Sequence, residues 1–273
     1  MRPWEDLVER IKHPTDELTI HVVGKYVGYE DSYKSLNEAL YHGGFKHQLK
    51  INIKWIEAEA LEEPNGTSLL EGADGILVPG GFGDRGTRGM MAAARYAREH
   101  KVPFFGICYG FQWATVEYAR NVAGLADADS TECAPDTPTK VIYKLRDLLG
   151  VDDLGGTMRL GSYPCELAAG LARPPRLRHR RRSTSVIVIG TSSTACIKRR
   201  CWITACEISG RSPDGKFVEI AEVPDHPWYV AVQFHPEFKS KPTHPHPLFA
   251  SFVEASYQHK TQVAQSAATE TVA

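Results

Sequence analysis

What most constrains this chain is a repeated change of hydrophobic period. Short, almost wholly apolar runs, LTIHVVG at 18–24, GILVPGG at 75–81 and VPFFGIC at 102–108, are separated by stretches whose apolar residues recur at helical spacing. A strand with one wet face alternates apolar and polar residues, so continuous runs of this length are strands covered on both faces. Leu49, Ile51, Ile53 and Trp55 alternate and form a further strand, and VEIAEV and WYVAVQF supply two more. Helices are expected over residues 33–41, closed by Gly43 and Gly44, over 87–100, from near Gly110, and over 247–258. Strands exchanging with helices of this length give an α/β fold, a mainly parallel sheet flanked by helices. It should occupy residues 17–258. Trp4, Leu7, Val8 and Ile11 mark a short amphipathic helix that Pro14 stops, a surface expected to pack on something. The small polar residues of 259–273 read as a flexible tail.

Composition removes several function classes. With 32 basic and 33 acidic residues among 273, the net charge is -1, and there is no chain-wide basic field to hold nucleic acid. No apolar stretch approaches the ~18–20 residues needed to span a bilayer, and the first residues lack the apolar core of a signal peptide, so a cytoplasmic protein is expected. Cys108, Cys133, Cys165, Cys196, Cys201 and Cys206 show neither a C-x-x-C pair nor metal-ligand spacing with histidine. They read as reduced thiols, with no metal site.

One of them stands out. In Gly106-Ile107-Cys108-Tyr109-Gly110 a buried strand meets a helix, the context of a nucleophile elbow with cysteine in place of serine. The tight turn needs small neighbours, and the helix N-terminus favours an anion. Taken alone, these five residues also suit a buried cysteine between packing glycines. Phe234-His235-Pro236-Glu237-Phe238 ends a later strand. There His235 could take the thiol proton and Glu237 could fix the imidazole tautomer, the logic of a catalytic triad. Pro79-Gly80-Gly81-Phe82-Gly83 follows another strand, where the Gly81 amide would join that of Tyr109 in an oxyanion hole. A glycine turn or a His-x-Glu has an ordinary structural reading by itself; the three in this order on an α/β pattern are far more specific.

At these residues the chain resembles a known family, the class I glutamine amidotransferases, and within it the amidotransferase halves of CTP synthases. The blocks GKYVGYEDSYKSLNEALYHGG, ILVPGGFGDRG, GICYGFQ, STE, GGTMRLG, GRSPDG, HPWYVAVQFHPEF and PHPLF carry the resemblance over nearly the whole chain. It implies a flavodoxin-like fold, with Cys108 as nucleophile and His235 and Glu237 completing the triad. Gly81, Tyr109, Gly110, Phe111, Gln112 and Glu132 would contact L-glutamine. Glu132 suits the substrate's ammonium, since a carboxylate is its natural partner. The implied reaction is hydrolysis of glutamine through a glutamyl thioester, with the ammonia passed to a synthetase domain that uses ATP to aminate UTP to CTP in pyrimidine biosynthesis. That domain, and possible homo-oligomerisation, would be the partners. ATP and Mg2+ would belong to the synthetase half alone, GTP would act as allosteric activator, and this chain would hold no cofactor. No G-x-x-x-x-G-K-[ST] loop is present. The 1–16 helix would be the linker from the synthetase half, with Met1 at a domain-boundary or internal start. Tyr109 departs from the family's usual leucine and would place a ring at the pocket mouth. Two other readings compete: a binding module without turnover, and another Cys-His-Glu hydrolase such as a γ-glutamyl hydrolase, against which GGTMRLG, HPWYVAVQFHPEF and PHPLF argue.

One segment breaks the resemblance. Between Glu166 and Glu207 there is no Asp or Glu, whereas a typical composition would supply roughly five. A basic patch for phosphates and a solvated loop are the plain readings. The genetic code offers a third. The family carries in this region a block reading roughly Glu-Arg-His-Arg-His-Arg-Tyr-Glu. Read one base out of frame, residues 184–194 (TSVIVIGTSST) back-translate to Asp-Glu-Arg-His-Arg-His-Arg-Tyr-Glu-Phe-Asn. Two compensating indels are therefore expected, near Ala172 and shortly before Glu207. Residues 172–206 should then pack poorly, with a strand surviving near 186–189. Gly190 would stand where the family has a glutamine-contacting arginine, which would impair the glutaminase.

Overall fold

The computed structural model describes residues 2–25, 27–28, 30–144, 160–168, 182–188 and 206–272. Its centre is a nine-stranded sheet. Five parallel strands form one side, in the order β2 (Leu49–Glu57), β1 (Asp16–Gly24), β3 (Gly75–Val78), β4 (Phe104–Ile107) and β11 (Tyr229–Val232). The sheet continues antiparallel through β10 (Val218–Glu222), β9 (Glu207–Arg211), β7 (Leu160–Leu167) and β8 (Arg182–Val188). A small separate sheet pairs β5 (Ala128–Ser130) with β6 (Thr139–Ile142).

Side-chain alternation splits the core in two. Leu18, Ile20, Val22, Phe105, Ile107, Val230 and Val232 face α2 (Lys34–His47) and α5 (Pro247–Val272), where Leu36, Leu40, Phe249 and Phe252 meet them. Val23, Ile76, Val78, Phe104 and Ala231 face α3 (Thr87–His100) and α4 (Tyr109–Asn121), packing with Met90, Ala94, Phe111 and Val116. Both faces are covered, which is why these strands read as unbroken apolar runs. The crossovers leave the carboxyl ends of β1, β3, β4 and β11 on one edge, where open α/β sheets bind ligands.

Two boundaries differ from the sequence expectation. Gly43 and Gly44 do not close α2 but lie inside it: a Cβ on Gly44 would stand 2.6 Å from Ile51 Cγ1 and 2.7 Å from the Leu49 carbonyl oxygen, so glycine lets the helix rest on β2. The last helix does not stop at residue 258 but continues to Val272, through a stretch without Gly or Pro in which alanines, glutamines, a lysine and a glutamate are half of the residues. At the other end α1 (Arg2–Lys12) forms as expected, yet only Leu7 is buried, while Trp4, Val8 and Ile11 remain exposed.

Of the anomalous 172–206 segment, the described residues are 182–188 and Cys206. The surviving strand is present as β8, antiparallel to β7 from Leu160↔Val188 to Glu166↔Arg182. Ala172 and Gly190 lie outside the described residues, as does the packing of the rest of the segment. Among the described residues no helix is long and apolar enough to cross a membrane.

Candidate active site

β4 delivers the nucleophile. Cys108 follows its last residue and precedes α4, with φ 53° and ψ -97°, a left-handed conformation that a non-glycine residue adopts only when its surroundings enforce it. The enforcement is local. A Cβ on Gly110 would stand 2.0 Å from the Val78 carbonyl oxygen, which excludes a side chain there, and one on Gly106 would stand 3.0 Å from the Gly110 oxygen, a tight contact that favours glycine. The Gly110 amide donates to Pro79 O (3.2 Å) and that of Gln112 to Cys108 O (3.2 Å). The Tyr109 amide is the first of the helix, a position that no helical turn can satisfy, and it lies next to the sulfur-bearing residue as an oxyanion donor must.

β11 delivers the base. Its partner register with β4 ends at Val232↔Ile107, and the Cys108 amide donates to Val232 O at 2.8 Å. Three residues on, His235 opens the 3-10 turn Pro236–Lys239, and its Nδ1 lies 2.7 Å from Glu237 Oε1. Burial opposes charge on this imidazole, but Cys108, through charge and a hydrogen bond, and then Glu237 in the same two ways, hold its pKa well above the ordinary 6.5. The arrangement sets a cysteine side chain against an imidazole that a carboxylate backs.

The glycine turn after β3 closes the third side. A Cβ on Gly80 would stand 3.0 Å from His235 Cε1 and 3.7 Å from Cys108 Cβ, which places the turn directly on the pair. Lys25, just past β1 and buried, donates from Nζ to the Phe82 and Gly83 carbonyls. Burial, and next the charge of Arg85, push the Lys25 pKa down, partly offset by Cys133, Glu132 and Asp84. Its Nζ also stands 5.2 Å over the Tyr109 ring. Glu132 Oε1 accepts the Gly83 amide at 2.9 Å, while Oε2 is buried without a hydrogen-bond partner among the described residues, the state of a carboxylate oxygen kept for a ligand cation.

The structure thus brings together Cys108, His235, Glu237, Gly81, Tyr109, Gln112 and Glu132. Gly110 serves the geometry of the turn. Phe111 does not present its side chain: the ring is fully buried in the core on the α3 side. The ring of Tyr109 is not at a pocket mouth either. It is turned under the glycine loop, 1% exposed, with its hydroxyl donating to Gly83 O and its edge against Trp113. Two residues escaped the sequence reading, Lys25 and Gln233. A lysine or glutamine closing an otherwise apolar strand run was the available signal.

Comparison with known proteins bears on this geometry. The family model "Glutamine amidotransferase class-I" matches residues 29–255. The chain belongs to the class I glutamine amidotransferases. A CTP synthase of Acidobacterium capsulatum is 53% identical over 280 residues, which cover 97% of this chain and 49% of that protein. One of Koribacter versatilis is 50% identical over 94% of this chain and 47% of its own length. The chain therefore spans about half the length of these curated relatives. Among solved structures, the glutaminase domain of Trypanosoma brucei CTPS with bound acivicin superposes with a TM-score of 0.80 at 30% identity, covering 88% of this chain and 94% of that one. In this amidotransferase the strained cysteine and the His-Glu pair lie together at the carboxyl ends of β4 and β11.

Proposed function

We propose that this chain hydrolyses the side-chain amide of L-glutamine. The observation that carries the reading is the pairing of a left-handed, helix-capping Cys108 with an imidazole whose charge Glu237 supports. Cys108 gives its proton to His235, and the thiolate attacks the amide carbon. The carbonyl electron pair moves to oxygen, facing the Tyr109 and Gly81 amides. Collapse expels ammonia with the proton from His235, leaving a glutamyl thioester that water cleaves to glutamate. Glu132 Oε2 would receive the substrate ammonium, and Gln112 would line the same wall.

We propose further that the ammonia serves the amination of UTP to CTP in the cytoplasm, on an ATP- and Mg2+-dependent synthetase partner, with GTP as activator and with oligomers formed together with that partner. Supporting this are the identity of about 50% to CTP synthases and the half-length coverage of them. The test is release of glutamate and ammonia by the 273-residue chain, together with labelling by 6-diazo-5-oxonorleucine. Glutamate release with label on Cys108, both absent in Cys108→Ala, is the expected result. No label and no glutamate would leave a binding module.

A further inference from the structure

A fourth side chain touches the sulfur. Gln233 follows β11, two residues before His235, and is wholly buried. Its Nε2 donates to Cys108 Sγ at 3.6 Å, and its Oε1 accepts from Gln112 Nε2 at 3.2 Å. Its backbone amide is fixed separately, on Glu219 O at 2.9 Å. The bonds run in one direction, from the Gln112 amide through Gln233 to the sulfur. Gln112 presents an NH2 group, so Gln233 must answer with its oxygen and turn its own NH2 to the sulfur. The flipped amide would set two NH2 groups against each other and aim a carbonyl oxygen at an electron-rich sulfur. A buried carboxamide is costly unless both ends are paired, and here both are.

We propose that Gln233 is a further catalytic residue: its side-chain N–H stabilises the Cys108 thiolate, while its Oε1 holds Gln112 against the substrate wall. When the thiol proton moves to His235, the charge left on sulfur meets a neutral donor that has no proton to lose at working pH, so Gln233 supports the ion pair without competing with the base. The backbone bond from Cys108 to Val232 keeps the two strand ends abreast and so keeps this donor on the sulfur. Charged groups around the pair include Glu237 behind His235, Lys25 and Glu132 across the glycine turn, and the buried Glu219 of β10, whose carbonyl accepts the Gln233 amide; none of them changes when Gln233 is replaced by an uncharged residue.

The test is the pH profile of Cys108 alkylation by iodoacetamide, read by peptide mapping in the full 273-residue chain, for wild type, Gln233→Leu and Gln233→Glu, with melting temperatures taken alongside. The expected result is a profile displaced by about one pH unit to higher pH in Gln233→Leu, about a tenfold slower reaction near pH 7, and a larger displacement in Gln233→Glu, which sets a carboxylate against the sulfur. A packing role alone would change the melting temperature and leave the profile in place, and superimposed profiles in a folded variant overturn the proposal. If neither variant folds, Gln112→Met removes the donor that orients Gln233, and must move the profile the same way by a smaller amount; no movement overturns the proposal equally. The inference rests on Cys108 as the nucleophile of the glutaminase. Wild-type Cys108 reacting no faster than Cys133 would remove that reading, whereas a fast wild type with unmoved variants removes only the role of Gln233.

Discussion

The Cys108 amide donates to the Val232 carbonyl across 2.8 Å, which ties the end of the strand carrying the nucleophile to the end of the strand carrying the base. The placement of Cys108 against His235 is therefore a property of two adjacent parallel strands, not of a flexible loop. Lateral placement of the sulfur against the imidazole follows from sheet register, and only the three-residue step from Val232 to His235 has to be shaped by local chemistry. Pro236 and the 3-10 turn supply that shape.

Strain at the elbow makes Cys108 a site where glycine and alanine should exchange their usual order. Elsewhere glycine is worse than alanine by roughly 0.5–1 kcal/mol, through the entropy of the unfolded chain. At φ 53° a side chain costs about 1–3 kcal/mol. Cys108→Gly should be at least as stable as Cys108→Ala in urea unfolding, with both lacking glutaminase activity. An alanine variant more stable by a full kcal/mol would show that no strain is held there.

The charge on His235 gives a pH signature. Its folded pKa lies well above 6.5, because the Cys108 and Glu237 contributions outweigh burial. The stability it contributes is therefore fully present below about pH 6.5 and is lost as pH climbs through the raised value. Glu237→Gln removes one of the two supports. The stability gap between wild type and this variant should be widest below pH 6.5 and narrow in alkali, and turnover should fall by roughly 10²–10⁴-fold. Urea midpoints across pH 6 to 10 check the first part, and a gap that stays constant contradicts it.

Much of this site was legible because its determinants are local. A strand run, two glycines two residues either side of a cysteine, and a proline between histidine and glutamate each restrict the backbone by themselves, so Cys108, His235 and Glu237 could be named from spacing and order. The internal glycines of α2 were misread for the opposite reason. Gly43 and Gly44 look like a helix stop, and only the approach of other elements, Phe249 and Val253 to Gly43 and Ile51 and Leu49 to Gly44, shows why the helix keeps them. Lys25 and Gln233 were missed on the same ground: each takes its meaning from partners far along the chain, Phe82 and Gly83 for one, Cys108 and Gln112 for the other. The antiparallel β7 and β9 lack strong apolar runs, and sequence alone gave them little weight.

Gly110 and Gly83 separate close approach from backbone freedom. At Gly110 an added Cβ meets the Val78 carbonyl oxygen at 2.0 Å, so the elbow itself must move. At Gly83 nothing lies within 4 Å, but φ is 71°. Gly110→Ala should cost about 1–3 kcal/mol or more and, by displacing the nucleophile, at least about 10² in turnover. Gly83→Ala should cost only about 1–2 kcal/mol of backbone strain and leave Cys108 alkylation intact. Equal losses in the two variants would mean that the Gly110 contact is relieved elsewhere.

Tyr109 offers a third contrast, between its amide and its ring. The amide faces the reaction as backbone, while the buried hydroxyl reaches Gly83 O and lies 3.7 Å from Cys133 Sγ. Burial, and next the charge of Cys133, push the phenol pKa up, so the hydroxyl stays a donor at every working pH. Tyr109→Phe should therefore lose about 0.5–1.5 kcal/mol of stability with turnover changed less than a few-fold. A loss of more than a hundredfold would place the hydroxyl in the chemistry itself.

The acid-free segment makes the last prediction, and it concerns affinity, not the triad. We propose that, in the register set by its flanking blocks, Gly190 stands in for an arginine that the family resemblance assigns to substrate glutamine. A charge-assisted bond of that kind is worth about 1.5–3 kcal/mol, or roughly tenfold to a hundredfold in affinity. Replacing residues 184–194 with Asp-Glu-Arg-His-Arg-His-Arg-Tyr-Glu-Phe-Asn should lower the KM for glutamine by that factor. The pH profile of Cys108 alkylation should stay in place, because the side chains set on the sulfur, Gln233 and His235, are held by β11 and the turn that follows it. Improved KM together with a moved alkylation profile would mean that the segment acts through the nucleophile; an unchanged KM would mean that this chain binds glutamine without the arginine block.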